Sequence, residues 1–138
     1  MKMNSVVHFE MPAEDSARMS EFYAKAFGWT TQAMGADFGD YVVATTTETG
    51  PNGPVNPGAI NGGFYKKTKP DQVPSVVIAV DDIRESMKNV EAAGGTVLGG
   101  SFKPGEPDDI PGVGLYASII DTEGNKVGMM QPAPRMGQ

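Results

Sequence analysis

The feature that most restricts how this chain can fold is a repeated order of elements in its two halves. Residues 5–11 are rich in strand formers, and Pro12 is expected to close that run. Met19, Phe22, Tyr23, Ala26 and Phe27 then recur at the spacing of an amphipathic helix. Asp15 or Ser16 is placed to cap its start and Gly28 to end it. Three strand-like runs follow, at 30–33, 41–46 and 61–65. The second half repeats the series: a strand at 75–80, then Ile83, Met87, Val90 and Ala93 at helical spacing before Gly94-Gly95. Strand-like runs at 96–98, 115–120 and 126–130 complete it. An offset of 67 residues sets Asp82 on Asp15, Ala93 on Ala26 and Gly95 on Gly28, and an offset of 75 sets Tyr116 on Tyr41 and Thr122 on Thr47. The offset changes within the Gly/Pro-rich stretch at 99–114. The order implies an α+β fold built from two copies of a strand, a helix and three strands. We expect one domain over 1–138, with unit one at about 5–67 and unit two at about 74–132.

Composition removes several functions. The chain has 138 residues, one histidine and no cysteine, so thiolate zinc sites, iron–sulfur clusters, cysteine nucleophiles and sites with two imidazoles from one chain are excluded. Seventeen acidic against eleven basic residues give a net charge of -6, which argues against a nucleic-acid partner. The short basic group Lys66, Lys67 and Lys69 reads as a solvated strand end. The longest apolar run, 76–80, has five residues, far below the roughly 18 of a membrane helix. Residues 1–3 carry no signal-peptide core, so a cytoplasmic location without membrane contact is expected. Turn formers cluster at 49–58 and 99–114; the second cluster, with Asp108 and Asp109, reads either as a lid or partner contact or as an ordinary mobile insertion.

Four segments in this order carry a family resemblance: VVHFEMPAEDSARMSEFYAKAFGW, GAINGGFYKK, SVVIAVDDIRESMKNVEAAGGTVL and IPGVGLYASIIDTEGNKVGMMQP. Together they resemble the vicinal oxygen chelate superfamily, which holds glyoxalase I, bleomycin-resistance proteins and extradiol dioxygenases. The resemblance implies the glyoxalase/bleomycin resistance/dihydroxybiphenyl dioxygenase fold, in which two βαβββ units form a curved, cup-like sheet, and it implies a homodimer. In metal-dependent members four ligands come from the first and last strands of each unit. His8 matches the first of these positions. Gly63 stands where Glu or Gln would be expected, Ser75 where a second histidine would be, and Gly128 where a final Glu would be. No metal is therefore expected, with His8 the one retained candidate ligand.

Strand alternation supplies the rest of the candidate lining. With His8 inward, Val6 and Glu10 share its face, while Val7, Phe9 and Met11 turn towards a helix. Asn61 and Tyr65 share a face with Gly63, Val77 and Ala79 with Ser75, and Lys126 and Met130 with Gly128. The candidate ligand-binding set is therefore His8, Asn61, Gly63, Tyr65, Ser75 and Gly128, with His8 and Glu10 the candidate catalytic pair. Three roles stand open for His8: metal ligand, general base or hydrogen-bonding group, and structural histidine bonded to a neighbouring strand. Glu10 either tunes the imidazole or is solvated at a bulge. Tyr65 either donates to a ligand or packs, and Met129 and Met130 are expected in the core. Gly62-Gly63 and Gly94-Gly95 lack the GKS or GKT of a phosphate loop, and small residues at strand positions read better as room for a ligand or for close backbone approach. Two functions follow. One is a binding protein of the bleomycin-resistance kind for a small organic molecule, without cofactor, whose acidic balance would suit a cationic ligand. The other is a lyase related to lactoylglutathione lyase, or a dioxygenase, in which a divalent metal is held by His8 and unfamiliar partners.

Overall fold

The N-terminal β1, Val6–Ala13, alternates in environment from His8 onward: Phe9 and Met11 pack into an apolar cluster and His8 lies on the opposite face, whereas Val7, expected to pack with them, is exposed. The structure, a computed structural model, describes residues 1–134. The chain divides into two compact units, one formed by Val7–Ser75 and the other by Met1–Val6 with the chain from Val76 onward.

In the first unit, β1 leads into α1 (Ser16–Phe27), β2 (Thr30–Ala33), a 3-10 turn at Ala36–Phe38, and β3 (Val42–Thr45). A small hairpin of β4 (Thr49–Gly50) and β5 (Gly53–Pro54) precedes β6 (Asn61–Lys66). The strand order is β2-β3-β6-β1, antiparallel except for the parallel pair of β6 with β1. Pro12 does not end β1 as its position suggests; the strand runs on to Ala13, opposite Lys66. The ladder explains this. The Ala13 carbonyl accepts from the Lys67 N–H at 2.9 Å, so the odd-numbered residues bond to β6 and the N–H that Pro12 lacks would point away from that strand.

Asp15 caps α1 by accepting from the Arg18 N–H at 2.9 Å, and Gly28 closes it in the left-handed conformation, φ 75°. The apolar stripe of α1 is only partly used. Met19 and Tyr23 pack with Phe9, Met11 and Trp29 around buried Ala13, Val42, Ala44 and Phe64, while Phe22 and Phe27 remain exposed. Tyr23 stacks on Trp29 with ring centroids 4.4 Å apart.

The second unit repeats the plan with β7 (Ser75–Ala79), α2 (Ile83–Ala92), β8 (Thr96–Gly99), β9 (Asp108–Ile110), β10 (Gly114–Ile120) and β11 (Lys126–Pro132). Its order is β7-β11-β10-β8, with a parallel pair only between β7 and β11, and β9 added beside β10. Each unit is therefore a βαβββ arrangement in which the first and last strands run parallel. Asp82 caps α2 through the N–H groups of Arg84 and Glu85, the place the offset of 67 assigns it. Ile83 and Met87 on α2 pack against Val80, Ala117, Ile119 and Met129. Met129 is core as expected, whereas Met130 is half-buried. Residues 1–6 group with this unit: the Ala79 N–H donates to the Ser5 carbonyl at 2.9 Å, and Lys2 pairs with Asp81.

The 99–114 stretch is more structured than a plain insertion. The buried Asp108 carboxylate accepts from the backbone N–H groups of Ser101 and Phe102 at 2.8 and 3.2 Å, and β9 joins the sheet. No helix among the described residues is long and apolar enough to cross a membrane.

Candidate functional site

The polar group of the first unit lies on the face of β1 turned away from α1. His8 and Glu10 come from β1, opposite Asn61 and Gly63 of β6 in the parallel register. On the other flank of β6, Val43 of β3 stands opposite Gly63, and Tyr41 lies two residues before it. The adjacency of β3, β6 and β1 lets the Tyr41 side chain reach over the glycine to His8. Its hydroxyl is 2.9 Å from His8 Nε2 and also hydrogen-bonds the Glu10 side chain.

These contacts fix where the protons sit. An ionised carboxylate only accepts, so the single Tyr41 hydroxyl proton goes to Glu10 and the Tyr41 oxygen accepts from His8 Nε2–H. The neutral imidazole is then the Nε2–H tautomer, with the lone pair on Nδ1. Burial pulls the His8 pKa below its ordinary value, and the charge of Glu10 partly opposes this. Burial, the Glu10 charge and the hydrogen bond to it raise the Tyr41 hydroxyl far above the usual phenol range, so Tyr41 stays protonated. Tyr65, on the same side of β6, is raised by burial and then by Glu10.

A pH experiment checks this electrostatic picture. Because His8 is the only histidine, its NMR titration is unambiguous and should have a midpoint below the unperturbed value of about 6.5. Glu10→Gln removes the opposing charge and should lower the midpoint further; an unchanged or raised midpoint contradicts the arrangement. The unfolded chain takes up this proton at higher pH than the folded one does. Through His8, stability is therefore full above about 6.5 and is lost as the pH falls from there through the lower folded value.

The other predicted residues divide. Asn61 is committed to its own loop: its Oδ1 accepts from the Thr46 N–H at 2.9 Å and its Nδ2 donates to Thr49 Oγ1 at 2.7 Å. Gly63 does not leave open room, because a Cβ there would lie closer to the Tyr41 hydroxyl and ring carbons than the 3.0 Å that real contacts respect. Gly128 belongs to the second unit and repeats the arrangement there, since its Cβ would meet the Tyr116 hydroxyl at 2.8 Å. Ser75, partly buried, opens β7. Tyr41 was not expected among the site residues, although the offset that pairs it with Tyr116 contained the signal. A depression of about 390 Å³ lies elsewhere in the first unit, beside Asp15, Arg18 and Phe22, and includes none of the predicted site residues.

The donors present do not fit a metal centre of the usual kind. His8 Nε2 and Glu10 are both engaged by one hydroxyl, glycine at 63 offers no ligand, and the described residues contain no group of three or more His, Asp or Glu side chains suited to an ion.

Residues 5–47 match the family model described as bleomycin resistance protein-like N-terminal. A methylmalonyl-CoA epimerase from Streptomyces coelicolor, a single-residue variant in complex with 2-nitronate-propionyl-CoA, superposes with TM-score 0.68 and 14% identity, over 96% of this chain and 100% of that one. The chain has the vicinal oxygen chelate fold. The same fold is seen in a Mycobacterium tuberculosis methylmalonyl-CoA epimerase, with TM-score 0.65 and 13% identity over 94% of this chain and 88% of that one. A hypothetical protein from Bacillus halodurans C-125 superposes with TM-score 0.68 and 12% identity, covering 99% and 100% of the two chains. No curated protein sequence matches this chain. Identities this low establish shared architecture and leave the chemistry to the residues of the site.

Proposed function

We propose that this protein binds a small organic molecule on the His8 face of its first unit, through hydrogen bonds rather than through a four-ligand metal centre. The observation that carries the reading is the bonding of one hydroxyl, that of Tyr41, to both His8 and Glu10, which leaves Nδ1 as the acceptor of the His8 ring. A lowered imidazole pKa keeps that nitrogen unprotonated at neutral pH. Such an acceptor suits a ligand with an N–H or O–H group, and a nearby carboxylate favours a donor carrying positive charge. The same nitrogen can take a proton from a bound molecule, with the resulting imidazolium held by its Nε2–H bond to Tyr41. The bleomycin-resistance likeness of residues 5–47 is consistent with a binding role.

Native mass spectrometry of the purified chain, followed by titration with bleomycin and with short acyl-CoA esters, tests the reading. We expect a retained or added organic ligand whose affinity falls at least tenfold in His8→Ala, about 1.4 kcal/mol or more. Equal binding by wild type and His8→Ala would remove His8 from the site, and no organic ligand on either would overturn the proposal.

A further inference from the structure

We propose that Tyr41 and Tyr116 close this chain to divalent metals: each ring occupies, within its own unit, the space into which a ligating side chain would project from the last strand. The inference rests on the metal-free reading above and deepens it by naming the residue that sets the specificity. Loss of ligands at Gly63 and Gly128 is then only half of the change, because a tyrosine has taken over each vacated volume.

Three observations support this. The first is steric. A Cβ on Gly63 falls within the envelope of the Tyr41 hydroxyl and ring, and one on Gly128 comes within 2.8 Å of the Tyr116 hydroxyl and 2.9 Å of its Cε2. A Glu at either position cannot coexist with the tyrosine where it stands. The second is repetition. Tyr41 precedes and Tyr116 lies within the strand next to the last one in its unit, so the same arrangement occurs twice within one chain. The third is the use made of the retained donors. The Tyr41 hydroxyl accepts from His8 Nε2 at 2.9 Å and donates to Glu10, so both groups face a hydroxyl that a cation would have to displace. Glu10 and Gly63 are register partners and His8 is two residues along the same strand face. A carboxylate introduced at 63, with the ring removed, would therefore join His8 and Glu10 as a third donor, and three protein ligands suffice for many zinc sites.

The test uses NiCl2 and ZnCl2 on wild type, Tyr41→Ala, and the double variant Tyr41→Ala/Gly63→Glu, with folding checked by circular dichroism. Binding is read by calorimetry and by the NMR signals of the single imidazole. Wild type should take no stoichiometric ion through His8. The double variant should bind one ion per chain at least 100-fold more tightly than wild type, with a shift of the His8 signals, and should lose it when His8→Ala is added. A stoichiometric ion on wild-type His8, or a folded double variant no tighter than wild type, overturns the proposal. Should the double variant not fold, Tyr41→Ala alone decides: a tenfold gain in Ni2+ affinity supports occlusion and no gain rejects it. The reading of the site as an organic-ligand site fails by a different result, absence of organic ligand on wild type, so the two failures are distinguishable.

Discussion

Phe64→Ala is expected to destabilise the protein by about 3–5 kcal/mol, the usual range for truncating a fully buried phenylalanine. Phe64 is 1% exposed and sits in β6 at the centre of the first unit's apolar cluster, where its ring centroid is 5.7 Å from that of Tyr23. Its neighbours are held by strand pairing on both sides, Met11 in β1 and Val42 in β3, so the void cannot collapse easily. For a chain of this size the loss corresponds to a fall in melting temperature of roughly 10–20 °C. The consequence extends to the site. Phe64 points to the α1 face, and the alternation of β6 then turns Gly63 and Tyr65 towards Glu10. Thermal unfolding with denaturant titration measures the effect; a loss under about 1 kcal/mol would show that the cluster repacks.

Gly114→Ala should be comparably damaging for a different reason. Gly114 opens β10 with φ 138°, a conformation that L side chains rarely adopt. An added Cβ would also run into the carbonyl oxygen of Gln131 on β11. That obstacle is backbone, fixed by the pairing of Gly114 with Pro132 on one side and Ile110 on the other, so no rotamer change relieves it. Backbone strain of about 1–3 kcal/mol and overpacking of about 1–3 kcal/mol act together here. We expect a loss of about 3 kcal/mol in chemical denaturation. Gly124→Ala, also at positive φ but with nothing within 4 Å of the added Cβ, is the control and should lose less. Equal losses would mean that the contact with β11 does not matter.

These two residues illustrate how unevenly the sequence reported the structure. Phe64 was legible only as part of a strand-like run, because burial on one face depends on what the next layer supplies. Gly114 belongs to the PGVG stretch, which as a motif carried little; its need for glycine comes from a neighbouring strand. The helices were clearer. Asp15 and Asp82 cap them and Gly28 ends the first, as local hydrogen-bonding chemistry requires. The face alternation of β1 was also legible, since period two is a local property. The short strand β9 and the role of Asp108 were not, because a carboxylate that satisfies two backbone N–H groups six and seven residues away leaves no periodic pattern.

Among the candidate site residues, His8 came from the family resemblance and Glu10 from strand alternation next to it. Asn61 was placed correctly on β6, but its amide is spent on Thr46 and Thr49. Tyr41 was missed because it is 33 residues from His8 in sequence, and only the order β3-β6-β1 brings its hydroxyl to the imidazole.

The sequence by itself determined the duplicated plan and the helix ends, and it set glycine at 63 and 128, because those depend on composition, spacing and local backbone chemistry. Only the tertiary structure decided what fills the space those glycines leave. Strand pairing sets which side chain crosses a glycine, and in each unit a tyrosine within or just before the adjacent strand does so, converting what read as open room into close packing, hydrogen-bonded to His8 in the first unit.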